Sequence, residues 1–138
     1  MKRSLRFASD LRELERIQSV IKELEKEADW PPDLVYQVNL ALEELVVNVI
    51  HYGHRGDPNH EIAIDLNWEA EKLTIEIVDD APAFNPLKDN PEPDLTSKLE
   101  NRPIGGLGIY LVHHLMDEIQ YRREQGRNHL TLIKRREQ

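Results

Sequence analysis

With 138 residues the chain has room for one domain of ordinary size, which excludes two-domain dehydrogenases and barrel enzymes. Hydrophobic residues make up 39% and charged residues 32%, so a real core can form and a disordered chain is excluded. A net charge of -8 argues against a nucleic-acid binder that tracks phosphates, and the absence of cysteine removes disulfides, thiolate zinc sites and cysteine nucleophiles.

The start, MKRSLRFASD, is basic but lacks the apolar core of a secretion signal. No run approaches the roughly 18 apolar residues of a membrane span, so the expected location is cytoplasmic, away from membranes. Residues 4–8 alternate as a short strand. Ser9 and Asp10 then offer a cap to an amphipathic helix over residues 11–28, with Leu11, Leu14, Ile17, Val20, Ile21 and Leu24 on one side. Pro31 and Pro32 break that helix. A second follows, with Leu34, Val38, Leu42, Leu45 and Val49 apolar, ending near Gly53. Residues 54–60 have turn composition, and residues 61–68 and 72–78 alternate strictly, predicting a hairpin. Residues 79–103 are rich in proline and asparagine and predict a long loop, of which residues 85–104 read as a lid over a site. A third helix is expected over residues 105–119. Strands over 118–123 and 129–134 then flank the turn Gln125-Gly126-Arg127-Asn128. The order predicts a single α+β domain over 1–138, a two-layer sandwich with a mixed, mainly antiparallel sheet covered on one face by helices.

Four features could carry chemistry. On the second helix Glu44, Asn48 and His51 share an arc of about 60°, apart from the apolar stripe. A solvated helix face carries such a row too; the functional alternative is a general base at Glu44 and a hard-cation ligand at Asn48. Gly105, Gly106 and Gly108 around Leu107 open a helix. Such a start exposes backbone N–H groups to an anion, or is simply a hinge and cap. Asp79 and Asp80 end a strand, as a turn device or as an acceptor for an exocyclic amine. Thr131 alternates with Leu130 and Leu132. The six histidines show no metal-binding spacing and read as structural or surface residues. No serine sits in a nucleophile elbow.

In this order the features resemble the GHKL (histidine-kinase-like, Bergerat) ATP-binding fold. Within it the chain is similar to the small anti-sigma factor serine-protein kinases, through ALEELVVNVIHYG, VDDAPAFNP and GGLGIYLV. The resemblance implies ATP with Mg²⁺, Glu44 as catalytic base, Asn48 as Mg²⁺ ligand and Asp79 on the adenine amine with Ala81 beside it. It further implies Gly105, Gly106, Leu107 and Gly108 around the phosphates and Thr131 near the base. The activity implied is phosphorylation of a small STAS-type antagonist protein by a kinase that also sequesters a sigma factor. A homodimer is implied as well, with no direct nucleic-acid partner. The alternative is a non-catalytic ATP/ADP-sensing module that switches protein partners. Two departures stand out: Ala81 and Ala83 occupy positions where the family commonly has glycine, and the lid is short compared with that of histidine kinases.

Overall fold

The computed structural model describes residues 1–87 and 106–135, with only the backbone of Gly106 and Leu107. The proposed lid therefore lies, beyond residue 87, outside the described residues, and so does Gly105. The elements are β1 (Lys2–Ala8), α1 (Leu14–Glu27), α2 (Pro32–Asn48), β2 (Glu61–Trp68), β3 (Lys72–Asp79), α3 (Gly106–Leu115), β4 (Glu118–Glu124) and β5 (Arg127–Arg135).

Local chemistry accounts for most boundaries. A single 3₁₀ turn, Leu11–Glu13, leads into α1. Its cap is Asp10, whose carboxylate accepts from the Arg12 backbone N–H at 2.9 Å and pairs with the Arg12 guanidinium at 2.7 Å. Those hydrogen bonds bring the Asp10 carboxyl down to about 2. Pro32 stands at the first turn of α2, where its fixed φ is already helical and no N–H is missed. The helix does not run on to Gly53 in α form. It ends at Asn48, and Val49–Gly53 form a wider π turn in which the His54 N–H reaches the Val49 carbonyl at 2.7 Å. α3 stops at Leu115 rather than 119, because the next residues join the sheet: the Asp117 N–H donates to the Ile133 carbonyl at 2.9 Å.

The β4–β5 turn is tighter than expected. Only Gln125 and Gly126 lie between the paired Glu124 and Arg127, with φ of 52° and 75°. Positive φ at both positions matches a two-residue hairpin turn, which leaves Arg127 and Asn128 in β5.

The sheet order is β1-β2-β3-β5-β4, and every pairing among the described residues is antiparallel. The mixture with parallel pairs expected from the element order is not seen there. Hairpins join β2 to β3 and β4 to β5, and each hairpin forces antiparallel neighbours. Inward residues of β1, β2, β3 and β5 form one core with Ile17, Ile21, Leu24, Val38, Leu42, Val46 and Val112 from the helices. Charged side chains on edge strand β4, such as Arg122, Arg123 and Glu124, suit an unpaired edge. Among the described residues no helix is long and apolar enough to cross a membrane.

One register positions the site. Across β3 and β5 the inward pairs run Ile75↔Leu132, Ile77↔Leu130, then Asp79↔Asn128. The apolar row turns polar at its last rung, where the sheet meets the end of α2.

Candidate functional site

A cavity of about 420 Å³ opens at this polar rung, between the end of α2, the π turn and residues 81–86. Its size falls within the roughly 300–1,000 Å³ of small-molecule sites. Leu45, Val49, Ile77, Ile109 and Leu130 give it apolar walls, and exposed Tyr52 and Phe84 flank it.

Asp79 is the buried charge in this wall, 7% exposed. Its Oδ1 accepts from the Ala81 N–H at 3.0 Å and from Asn128 Nδ2 at 2.9 Å. Neither bond engages Oδ2, which is left as an acceptor for a ligand N–H. Ala81 is buried next to it and lines the cavity, so the methyl that replaces a family glycine sits in the wall itself. Ala81 also presses on the π turn: a side chain at Gly53 would come within 2.7 Å of Ala81 Cβ. A glycine is required at that approach.

Asn128 holds the wall together. Its Nδ2 donates to Asp79, to the Pro82 carbonyl at 3.1 Å and to the Ala81 carbonyl at 3.3 Å. Its Oδ1 accepts from Tyr121 Oη at 2.6 Å, Arg123 Nη1 at 3.1 Å and the Phe84 N–H at 3.3 Å. Arg123 adds a bond to the Ala81 carbonyl at 2.7 Å. Residues 81–84 are thus tied to β4 and β5 through one buried amide.

Asn48 lines the cavity from α2, and its Nδ2 is enclosed without a hydrogen-bond partner among the described residues. An enclosed amide N–H left unpaired by its described neighbours is a donor fit for a ligand acceptor. Glu44, one turn earlier and half-buried, stands outside the cavity lining and against α3: a side chain at Gly108 would collide with Glu44 Oε2. Gly106, Leu107 and Gly108 form the first turn of α3, beside that carboxylate.

One expected member is not brought in. Thr131 pairs with Glu76, on the face of the sheet opposite Leu130 and Leu132, and is absent from the lining. Strand alternation sends it away from the helices and turns Asn128, in step with Leu130 and Leu132, to the cavity side. His51 is exposed on the π turn, whose wider pitch takes it out of line with Glu44 and Asn48. Asn128 escapes a sequence reading because Gly126-Arg127-Asn128 has turn composition. The available signal was period two counted back from Leu132 and Leu130.

Residues 7–134 match the model of the histidine kinase-like ATPase domain. The chain is 30% identical over 105 residues to the serine/threonine-protein kinase BtrW of Bordetella bronchiseptica, covering 75% of this chain and 72% of that one. It is 33% identical over 97 residues to a serine-protein kinase RsbW of Bacillus cereus, covering 68% of this chain and 60% of the relative. Among solved structures, the RsbU and RsbW domains of a Mycobacterium tuberculosis protein superpose with a TM-score of 0.69 at 12% identity, over 98% of this chain and 32% of that one. The Acinetobacter baumannii histidine kinase AdeS superposes with a TM-score of 0.53 at 19% identity, over 96% of this chain and 67% of that one. At these identities the structural likenesses show a shared fold.

Proposed function

The chain belongs to the histidine kinase-like ATPase domain family, and from that premise we propose that it is an ATP-dependent protein-serine/threonine kinase. Its substrate in this reading is a small antagonist protein of STAS type, and its second partner a sigma factor or similar regulator that it sequesters. The observation that carries the reading is Asp79, a buried carboxylate in the wall of an apolar cavity, with one oxygen unused among the described residues. An adenine ring brings an exocyclic amine to such an acceptor and a flat apolar body to such walls.

The other residues take their roles around that anchor. The first-turn N–H groups of α3, from Gly106, Leu107 and Gly108, with Gly105 before them, receive phosphate oxygens at the positive end of the helix. That local field lets a protein of net charge -8 accept a polyanion. Asn48 lines the cavity and would offer Mg²⁺ its side-chain carbonyl oxygen, the donor type a hard cation takes, while its enclosed Nδ2 is a donor suited to a phosphate oxygen; the ion would neutralise charge on the phosphates. Glu44, beside the start of α3, accepts the proton of the incoming serine or threonine hydroxyl as its oxygen attacks the γ-phosphorus and ADP leaves. A base so placed contributes about 10²- to 10⁴-fold. Asn128 fixes Asp79 and takes no part in transfer.

The test is incubation with labelled Mg-ATP and a panel of STAS-domain proteins, with Glu44→Gln alongside. Phosphoserine or phosphothreonine on a panel member with wild type, and none with the variant, supports the kinase. Nucleotide binding without phosphoprotein in any pairing would replace it by the non-catalytic partner switch. Thermal shift reads binding by itself: ligand at about 100 times its Kd adds about 2.7 kcal/mol, or roughly 10 °C for a domain this size. No shift with ATP or ADP refutes the nucleotide site.

A further inference from the structure

Sequence spacing assigns the histidines no shared role, and the fold corrects that for two of them. His54 follows the π turn, His60 precedes β2, and both converge on Asp80 just past β3. His54 Nε2 lies 2.7 Å from Asp80 Oδ1, and His60 Nδ1 lies 3.1 Å from both Asp80 oxygens. The ligand atoms of the three side chains are all within 4.8 Å of one another, and no other such group occurs among the described residues. The His54 side chain is only 1% exposed. Its Nδ1 lies 2.8 Å from Oγ of Ser9, which is also buried. His60 Nε2 lies 3.6 Å from Asp57 Oδ2. Partial burial pushes the Asp80 carboxyl up, but hydrogen bonds from His60 and His54, with their charge, hold it below its ordinary value.

We propose that His54 Nε2, His60 Nδ1 and the Asp80 carboxylate bind one divalent transition-metal ion of the zinc type. Two imidazole nitrogens and a carboxylate suit Zn²⁺ and leave a fourth position for water. The ion would take the place of the direct contacts that the two rings now make with Asp80. A metal-bound neutral imidazole carries its one N–H on the other ring nitrogen, Nδ1 of His54 facing Ser9 Oγ and Nε2 of His60 facing Asp57 Oδ2. That outer support orients metal-binding histidines generally. The rings now stack, with centroids 4.5 Å apart and planes 10° apart, so their lone pairs run in parallel planes. Coordination therefore needs the His60 ring to turn, which its 39% side-chain exposure permits, while His54 and Asp80 stay in place.

The ion would tie the end of β1, the π turn and the end of β3 together directly behind Asp79. None of its three ligands lines the nucleotide cavity, so the site stands or falls apart from the kinase reading.

The experiment is calorimetric titration of the metal-free full chain with zinc chloride, without nucleotide, repeated with His60→Ala, Asp80→Asn and Ser9→Ala. The result expected is one ion per chain. His60→Ala and Asp80→Asn should weaken binding by at least about 100-fold, and Ser9→Ala by about 10- to 100-fold, the usual cost of an outer partner. Far-UV circular dichroism confirms that each variant is folded. Cobalt(II) gives a second readout, a visible absorption band with wild type that His60→Ala abolishes. No stoichiometric uptake by wild type overturns the proposal. So does undiminished binding by folded His60→Ala, since the ion would then sit on other histidines such as His113 and His114.

Discussion

Asn128→Ala removes the amide that joins Asp79 to residues 81–84 and to β4. Six contacts reach that side chain, three at Nδ2 and three at Oδ1. An amide has only two hydrogens and two acceptor positions, so they amount to about four full bonds. Tyr121 is half-buried and Arg123 exposed, and both regain hydrogen bonds from water. The remaining loss is one bond to the buried Asp79 carboxylate, at about 1.5–3 kcal/mol, and one to backbone, at about 0.5–1.5 kcal/mol. The expected destabilisation is therefore about 2–4 kcal/mol. Urea unfolding reads it as a midpoint lowered by roughly 1–2 M with an unchanged slope. Asn128→Asp should be worse at neutral pH, because it sets a second carboxylate where an N–H now meets Asp79 Oδ1 at 2.9 Å. Its deficit relative to the Ala variant should shrink when acid protonates one of the pair. An Asn128→Ala chain within about 0.5 kcal/mol of wild type would refute this account, since that is the scatter of unremarkable surface changes.

Thr131→Val tests the face assignment: ATP affinity by titration should stay within about twofold, since an outer-face side chain loses no contact in the cavity, and a larger loss would return Thr131 to the base. Gly108→Ala forces Glu44 Oε2 aside, so phosphotransfer should fall by about the 10²- to 10⁴-fold worth of a base while the helix itself gains from alanine. A variant with wild-type transfer would show that Glu44 is not the base. Gly53→Ala brings two methyl groups to 2.7 Å at the cavity wall, and overpacking of that kind costs about 1–3 kcal/mol in thermal or urea unfolding. Asp10 supplies the pH test. Its carboxyl is lowered from 3.8 to about 2 by the Arg12 hydrogen bonds, so its contribution is present above pH 3.8 and is lost as pH falls through about 2. The gap in urea midpoint between wild type and Asp10→Asn should therefore close over that interval; a constant gap would mean that the pair does not hold in solution.

Element identity was legible wherever one period dominated. Ile62, Ile64 and Leu66 alternate and form β2; Val38, Leu42 and Leu45 repeat at helical spacing and form α2. Boundaries were legible only where a local device sets them, as Pro32 does for α2. The π turn after Asn48 left no trace in the pattern, because one extra residue in a turn alters pitch and not composition. The His54, His60 and Asp80 cluster was invisible for a different reason. Its members stand 6 and 20 residues apart and meet only because β2 and β3 pair with Ile62 opposite Asp79.

Thr131 and Asn128 show how much weight a short period can bear. The resemblance placed Thr131 at the base, yet it lies between Leu130 and Leu132, and these two pack against Ile77 and Ile75 in the core. Period two leaves no freedom: if both leucines face inward, Thr131 faces out and Asn128 faces in. A slip of one residue in β5 would reverse all of them and expose the leucines, at about 1.5–3 kcal/mol for each buried side chain. Leu130 and Leu132 together thus outweigh by several kcal/mol any single hydrogen bond Thr131 could make to a base. The polar rung follows from the same alternation read to its end, since the row that carries Ile75 and Ile77 on β3 reaches Asp79 as the row of Leu132 and Leu130 reaches Asn128. Two residues distant in sequence are made neighbours by a core that neither belongs to, and the place of the carboxylate in the cavity wall is set by how those leucines pack.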